Sequence, residues 1–310
     1  MSFHERTSLA ARGKWKGILL QLGVPAESLT GKHAPCPMCG GEDRFRFDNK
    51  EQRGTFICNA CGAGDGMKLA VEFTGKPFSH VASQIDAMLG NVKPDAPGKP
   101  AISDEDRTKA LRAVWSATSP MQVGDLAHLY LTTRRIEELV YPKALRFGPA
   151  IRDGEGGIRP AMVAIVTDYE GKPVTLHRTF LKPDGSGKAE MTSPRKLMPG
   201  DLPDGSAVRL SEFTTGTIGI AEGIETAMSA SALYDIPVWA AINAGNLAKW
   251  IPPEGAEEVA IFGDNDPKFA GQAAAYALAR RLAAKNIPVT VHIPEIPGTD
   301  WADVYMKGKS

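Results

Sequence analysis

The chain has 310 residues, of which 43% are hydrophobic, and its 36 basic side chains balance its 36 acidic ones. This length and composition predict two or three domains with true hydrophobic cores, which excludes a largely disordered protein. The balanced charge excludes a general attraction to nucleic acid or membranes, so any such binding must come from local patches. No apolar run is long enough to span a membrane, and the first residues lack the apolar core of a secretory signal. We therefore expect a cytosolic protein without a membrane partner.

All four cysteines lie in one stretch, as two Cys-x-x-Cys pairs formed by Cys36, Cys39, Cys58 and Cys61. Two knuckles that each supply two thiolates are typical of a tetrahedral structural zinc site. Two disulfides are disfavoured in a reducing cytosol, and a redox Cys-x-x-Cys would not need a second pair. The intervening segments "RFRFD" and "GTFIC" alternate like ribbon strands. We predict a zinc ribbon whose metal replaces a core that this segment is too small to build.

Arginines and phenylalanines alternate along the predicted ribbon in "RFRF", and Phe56 follows downstream. Cations beside aromatic rings suit contact with phosphates and stacking on nucleobases. Ordinary ribbon packing would instead turn the same rings inward, so both interpretations stay open for the phenylalanines. We expect Arg44 and Arg46 to contact nucleic acid.

Two helices are predicted after the ribbon, in "GDGMKLAVEFTG" and "SHVASQIDAML", and they complete a zinc-ribbon domain at residues 1–90. Residues 91–103 then read as a flexible linker, because this segment combines prolines and glycines with lysines. From Asp104 to about Leu139, the apolar spacing and an acidic N-terminal cap predict helices.

A β-hairpin is predicted in "AMVAIVTDYEGKPVTLHRTFL", within a helical and basic region at residues 104–213. Six basic side chains and only two acidic ones lie between Lys172 and Pro199, which makes phosphate the natural partner. A soluble surface loop is the competing interpretation. The local sequence "GSGK" is not a P-loop, because the earlier glycine and the following Ser or Thr are missing. The candidates for binding nucleic acid or nucleoside triphosphate (NTP) here are Arg178, Lys188, Arg195 and Lys196.

Residues 214–310 alternate apolar strands with helices, beginning with "TGTIGIAEGIETAMSASAL" and continuing through "AAIN", "EVAIF" and "PVTVHI". This alternation predicts a parallel α/β domain. Ligands of such sheets lie beyond the carboxyl ends of the strands. Glu222, Asp264 and Asp266 all fall at such ends.

Asp264 and Asp266 would project from the same face of an extended strand, about 7 Å apart. At an effective dielectric constant near 20, they would repel each other by roughly 2 kcal/mol, and a bound divalent cation would turn this repulsion into attraction. A solvated Asp-Asn-Asp turn is the competing interpretation. Asp300 and Asp303 add acids near the same edge, and Glu225 either joins them or caps its helix.

These residues resemble the Toprim domain, whose mark is a strand-end Glu-Gly followed by a strand-end Asp-x-Asp, here Glu222 with Asp264 and Asp266. The preceding ribbon resembles the zinc-binding domain of phage- and plasmid-type DNA primases. The resemblance covers nearly the whole chain and implies an α/β fold in which a zinc ribbon precedes a Toprim catalytic domain at 214–310. Thr226 stands where cellular primases usually carry a further aspartate, which puts the second-metal arrangement in question.

The resemblance implies a primase, a nucleotidyltransferase that makes short oligoribonucleotide primers on single-stranded DNA during phage, plasmid or mobile-element replication. Mg²⁺ or Mn²⁺ would orient the NTP and the primer 3′ hydroxyl. The ligands implied are Glu222, Asp264 and Asp266, with Asp300 and Asp303 as further candidates. Because no P-loop is present, we expect a replicative helicase in trans to expose the template.

Three other activities share parts of this pattern. A Toprim nuclease would use the same acids with water as the nucleophile, and the N-terminal ribbon disfavours it. A type IA topoisomerase would need a tyrosine domain and a longer chain. A recombination mediator joins a four-cysteine site to Toprim, but its cysteine pairs lie closer together than the 18 residues that separate them here.

Overall fold

The structure, a computed structural model, describes residues 3–95, 103–200 and 202–308. It divides into two compact units, Met1–Ile102 and Ser103–Ser310. Among the helices within the described ranges, none has the length and apolar character needed to cross a lipid bilayer.

The first unit contains a four-stranded antiparallel sheet in the order β1-β2-β3-β4, with helices before and after it in the chain. The predicted ribbon strands and both predicted helices are present. The strands are β1 (Ala34–Cys36), β2 (Gly40–Phe47), β3 (Phe56–Cys58) and β4 (Gly62–Gly64). The helices are α1 (Phe3–Ala10), α2 (Trp15–Gln21), α3 (Gly66–Thr74) and α4 (Phe78–Met88), with short 3-10 turns at Ala26–Leu29 and Lys50–Gln52.

The ribbon phenylalanines face the interior of this unit. Phe45, Phe47 and Phe56 are at most 3% exposed and share one core with Trp15 of α2. Phe45 and Phe56 stack with their ring centroids 5.5 Å apart. The interpretation of these rings as base-stacking surfaces is therefore wrong, and the ribbon has a hydrophobic core that it builds together with its flanking helices.

The beginning of the predicted linker packs against the first unit. Val92 is buried, and the Asp95 carboxylate accepts hydrogen bonds from Asn49 Nδ2 at 3.1 Å and from the Lys16 backbone at 3.2 Å. The remaining linker residues, 96–102, lie outside the described part of the chain.

Two helices and a five-stranded antiparallel sheet, ordered β5-β6-β7-β8-β9, open the second unit. The predicted hairpin is confirmed, because β7 pairs antiparallel with β8. The elements are α5 (Asp104–Ser116), β5 (Ser119–Pro120), α6 (Leu126–Thr132), β6 (Leu145–Arg152), β7 (Ile158–Thr167), β8 (Pro173–Phe180) and β9 (Arg195–Leu197).

The helices of this region are shorter than the sequence pattern predicts. Helix α5 begins at the expected acidic turn, where the Ser103 hydroxyl accepts a hydrogen bond from the Asp106 backbone. Helix α6 stops at Thr132, so the predicted continuation toward Leu139 is wrong. Arg135 adopts φ of 58°, a left-handed backbone conformation that a continuing α-helix cannot contain.

The second sheet is parallel, as predicted, with strand order β11-β10-β12-β13 and helices on both faces. Alternate residues of β12 point to opposite sides, since Ala260 and Phe262 join one core while Val259 and Ile261 join another. The elements are β10 (Gly216–Ala221), α7 (Ile224–Tyr234), β11 (Val238–Ala240), α8 (Ala244–Leu247), β12 (Ala256–Phe262), α9 (Ala270–Ala283), β13 (Val289–His292) and α10 (Trp301–Gly308).

Candidate functional site

The four cysteines converge at the hairpin ends of the ribbon. Their sulfur atoms all lie within 4.8 Å of one another, with 3.9 Å between Cys36 and Cys61 and 3.7 Å between Cys39 and Cys58. A tetrahedral zinc site with bonds of about 2.3 Å places its sulfurs about 3.8 Å apart. The predicted residues therefore have the geometry of a structural zinc site.

The thiols perturb each other strongly at this separation. Hydrogen bonds with Cys58 and Cys61 lower the pKa of Cys36 to about 2, while the hydrogen bond with Cys36 raises the pKa of Cys58 to about 12. Four neighbouring thiolates repel one another unless a cation neutralises them. The chemistry of this donor set thus suits Zn²⁺, which would hold the two hairpin knuckles together.

Strand register brings the predicted acids to one edge of the parallel sheet. Ala221 at the end of β10 pairs with Phe262 at the end of β12, which pairs in turn with His292 at the end of β13. The carboxyl ends of three strands are therefore level. Glu222 follows β10 directly, and Asp264 follows β12 after one glycine, so both residues lie at the carboxyl-end edge of the sheet.

The Asp-Asn-Asp segment is a loop beyond β12, so the expectation that strand alternation aligns its carboxylates is wrong. Asp266 Oδ2 accepts a hydrogen bond from Gly271 N at 2.9 Å, at the start of α9. The Asn265 amide donates to the Pro294 carbonyl at 2.7 Å, and its backbone donates to the Thr299 carbonyl at 3.0 Å. The loop is thus fixed from both sides, and Asp266 also has the turn role that sequence reasoning left open.

Two glycines let α9 approach this loop. A Cβ atom on Gly271 would lie 2.6 Å from the Asp264 carbonyl oxygen, and one on Gly263 would lie 2.9 Å from Ala275 Cβ. These separations are shorter than side chains allow. The helix can therefore support the Asp264 backbone only because both positions lack a side chain.

Asp264 is the electrostatic centre of the acidic group. Burial raises its pKa to about 8, and neighbouring charges add to the rise. The carboxylates that contribute are Glu222, Asp300 and Asp266, and Arg195 opposes them. The Asp264 Oδ1 atom is buried and accepts no hydrogen bond from any residue that the structure describes. A buried carboxylate oxygen of this kind suits a cation ligand.

Asp300 and Asp303 form a reciprocal cap on α10. The Asp303 backbone donates to Asp300 Oδ1 at 2.9 Å, and the Asp300 backbone donates to Asp303 Oδ2 at 3.2 Å. Trp301 anchors this turn, because its ring lies 5.8 Å from that of Phe262 at the end of β12. Both carboxylates are thus engaged in the cap, and the charge of Asp300 also raises the pKa of Asp264.

The carboxylates converge less tightly than the cysteines. Within residues 3–95, 103–200 and 202–308, only the four cysteines bring three or more possible metal-ligand atoms within 4.8 Å of one another. The carboxylates do not meet this distance. An open carboxylate arrangement is typical of Mg²⁺ sites, in which one or two carboxylates bind the ion and substrate phosphates and water complete its shell. The site therefore suits a cation shared with a phosphate ligand.

Glu225 belongs to a second, buried cluster next to these acids. It is 5% exposed, accepts a hydrogen bond from the Tyr130 hydroxyl and lies 3.5 Å from Lys188 Nζ. Burial alone would raise its pKa, but Lys188, Arg195 and Tyr130 lower it to about 2. Glu225 thus stays charged and ties α6 and the basic loop to the first turn of α7, rather than projecting as an exposed helix cap.

The predicted basic residues divide into two groups. Lys196 Nζ lies 2.7 Å from Glu155 Oε1, and Arg178 donates to the Arg152 carbonyl at 3.0 Å, so both are used within the antiparallel sheet. Lys188 is largely buried against Glu225. Arg195 is exposed, and among the described residues its backbone carbonyl accepts from the Ser193 hydroxyl while its guanidinium has no hydrogen bond or ion pair.

The ribbon arginines are partly engaged as well. Arg46 is half-exposed and lies 4.0 Å from Asp48, while the Arg44 side chain lies against Gly41. Neither is buried, so both cations remain accessible at the surface of the first unit.

Sequence reasoning missed three residues around the acids: Tyr130, Arg134 and His177. Burial would lower the pKa of Arg134, but neighbouring acids including Glu225 and Asp300 raise it above its ordinary value. Burial, aided by Arg195, lowers the pKa of His177 to about 4, which keeps that ring neutral at pH 7. No local motif marks these residues, because pairing across the antiparallel sheet and helix packing bring them to the site.

Three family descriptions match consecutive parts of the chain. Residues 31–67 match the zinc-binding domain of primase-helicase, residues 105–210 match a domain of unknown function, and residues 217–310 match the Toprim domain. The chain carries a primase-type zinc ribbon followed by a Toprim domain. Both resemblances drawn from the sequence are thereby confirmed.

Several solved primase structures are similar to this chain. The primase fragment of the bacteriophage T7 primase-helicase protein is 16% identical with a TM-score of 0.41, over 89% of this chain and 95% of that one. The DnaG primase catalytic domain bound to ssDNA is 11% identical with a TM-score of 0.42, over 65% and 75%. The RNA polymerase domain of Mycobacterium tuberculosis primase DnaG is 15% identical with a TM-score of 0.36, over 65% and 77%.

The cysteine geometry predicts that the purified protein carries one zinc ion per chain and that Cys58→Ser abolishes tight zinc binding. Because the hairpin knuckles then lose their cross-link, residues 1–95 should unfold while the second unit keeps its structure. Elemental analysis together with limited proteolysis tests this. Wild-type protein prepared without chelator but lacking zinc would contradict it.

The buried cluster predicts that Glu225→Gln destabilises the second unit by about 3 kcal/mol at pH 7. The folded pKa of Glu225 lies below its ordinary value of 4.5, so its contribution is complete above pH 4.5 and declines as pH falls toward 2. Urea titrations followed by tryptophan fluorescence should show the difference from wild type narrowing below pH 4.5. Glu254→Gln, at an exposed position, is the matched control. If Glu225→Gln lowered the free energy of unfolding by the same amount at every pH, the stabilisation would not come from the lowered pKa of Glu225.

Proposed function

We propose that the chain is a DNA primase that synthesises short oligoribonucleotide primers on single-stranded DNA by metal-dependent nucleotidyl transfer. The observation that carries this proposal is the group of carboxylates around Asp264 at the carboxyl edge of the Toprim sheet, in a chain that begins with a primase-type zinc ribbon. The same chain thus combines an acidic group suited to a cation and phosphates with a separate unit that carries the four-cysteine site.

Glu222, Asp264 and Asp266 are the proposed ligands of the catalytic cation, with Asp300 as a supporting acid. The raised pKa of Asp264 reflects burial and the charges around it, so this carboxylate gains most when a cation binds. Bound Mg²⁺ or Mn²⁺ would supply charge neutralisation for the triphosphate and activation of the primer 3′ hydroxyl. The backbone bonds of the Asp264–Asp266 loop would hold two of these ligands in place.

Arg195 is the proposed phosphate contact beside the acids, because it is exposed and its charge reaches Asp264. Lys188 is not a proposed direct phosphate contact, because it pairs with Glu225 and neutralises that charge. In the first unit, Arg44 and Arg46 are the proposed contacts to the template backbone. Their neighbouring phenylalanines support the ribbon from inside rather than stacking on bases.

The proposed setting is the replication of a phage, plasmid or other mobile element, with a replicative helicase acting in trans. The chain carries no P-loop sequence, so it has no visible means of using NTP hydrolysis to separate strands. On this proposal the protein acts only on template that is already single-stranded.

The proposal predicts that Glu222→Gln, Asp264→Asn and Asp266→Asn each reduce primer synthesis at least about 100-fold, because each removes a charge needed for the cation. Binding to single-stranded DNA should remain, since the ribbon is unchanged. The asparagine at 266 keeps an oxygen acceptor for the Gly271 backbone, so loss of the cap does not explain the effect. The measurement is incorporation of labelled NTPs into oligoribonucleotides with Mg²⁺ and with Mn²⁺.

The exposed Glu254→Gln, which makes the same chemical change elsewhere in the unit, should leave synthesis near the wild-type rate. The assay also separates the rival activities, because a nuclease would produce DNA breaks from the same acids. Synthesis within twofold of wild type in all three acid variants would refute the proposed role of these carboxylates.

A further inference from the structure

An exposed stripe of aromatic and basic residues runs along α9, away from the Asp-Asn-Asp loop. Phe269, the residue before the first turn of α9, is 69% exposed, and Tyr276, seven residues later within the helix, is 59% exposed. Ala273 lies between them and is also exposed, so no bulky side chain separates the rings. The backbone rises about 10 Å from position 269 to position 276, a length that about three stacked nucleotides span.

The backbone holds Phe269 in an unusual conformation. Its φ is 59° and its ψ is 18°, a left-handed region that costs about 1 kcal/mol for a residue with a large side chain. The Phe269 backbone donates to the Asp266 carbonyl at 2.9 Å and accepts from the Ala273 backbone at 2.9 Å. The Phe269 backbone is thus held by the same loop that carries Asp266, whereas its ring is exposed rather than packed in a hydrophobic core.

Two cations border the aromatic pair. Lys268 precedes Phe269, and Arg280 lies one helical turn beyond Tyr276; both are exposed. Neither takes part in an ion pair among the described residues. Two open rings flanked by unpaired cations are the combination that binds single-stranded nucleic acid, since the rings stack on bases and the cations contact phosphates.

We propose that this α9 stripe, formed by Lys268, Phe269, Tyr276 and Arg280, binds single-stranded DNA. The inference rests on the proposed function, because it takes the strand that passes the acidic site to be the template. The cations favour a polyanion over an apolar protein segment, and the stripe begins two residues after Asp266, at Lys268. The ring of Phe269 would stack on a template base next to the site of synthesis, and Tyr276 would stack farther along the strand.

The test uses the zinc-loaded full chain and a fluorescent oligodeoxynucleotide that contains 5-iodouracil. Binding is measured by anisotropy, and ultraviolet cross-links are mapped to residues by mass spectrometry. Phe269→Asn removes the ring but suits the left-handed backbone, so it should fold, and Phe269→Trp keeps a stacking surface. Tyr276→Ala removes the second ring within a helix. Tyr169→Ala, at an exposed tyrosine between β7 and β8, is the matched control.

We expect Phe269→Asn and Tyr276→Ala each to weaken binding about five- to tenfold, with Phe269→Trp and Tyr169→Ala near wild type. Cross-links should map to Phe269 or Tyr276. Affinities within twofold of wild type for both ring-deleting variants, with cross-links only outside residues 268–280, would overturn the inference. Primer synthesis is assayed separately on wild type. Cross-links at Phe269 or Tyr276 in a protein that makes no primers would support this DNA surface and refute the proposed function. Primer synthesis without cross-links at either ring would support the proposed function and refute the surface.

Discussion

Mutual repulsion among the carboxylates at the carboxyl edge of the parallel sheet is the constraint on which the rest of the second unit depends. Strand register brings the ends of β10 and β12, and so Glu222 and Asp264, to one edge. Burial raises the pKa of Asp264 to about 8, and the neighbouring carboxylates add to the rise. The fold offsets this by bonding the loop from two sides and by leaving glycines where α9 must approach. Such a preorganised concentration of negative charge costs stability, and a cation would recover that cost on binding.

The cluster of Glu225, Lys188 and Tyr130 is the counterpart of this acidic edge. Its buried charged pair joins Glu225, three residues after Glu222 in the chain, to Lys188. The contacts of Glu225 with Lys188 and Tyr130 join α7 to the basic loop and to α6. The charge of Arg195 acts on both groups, because it lowers the pKa of Glu225 and also opposes the rise in the pKa of Asp264. We interpret the basic region as a support that fixes one exposed cation beside the acids, rather than as a uniform positive surface.

Much of the fold could be predicted from the sequence, because the decisive signals are local. Paired cysteines, strand-end acids and alternating apolar runs identified the zinc ribbon and the parallel sheet with its helices. The failures concern long-range packing. The direction of Phe45, Phe47 and Phe56 depends on Trp15 and the flanking helices, which strand alternation does not reveal. The roles of Lys188 and Lys196 depend on partners at Glu225 and Glu155, which no spacing rule connects. The assignments of the individual acids and bases as catalytic or binding residues stay predictions.

The central claim is that the edge carboxylates hold a catalytic cation. It is tested most directly by titrating the zinc-saturated chain with Mn²⁺ and measuring free Mn²⁺ by electron paramagnetic resonance. The measurement at pH 8.5, above the pKa of Asp264, favours its charged form. The account predicts Mn²⁺ binding by wild type and at least about tenfold weaker binding by Asp264→Asn, because substituting even the residues that only orient metal ligands commonly costs that much affinity. Equal Mn²⁺ affinity in the two proteins would contradict it.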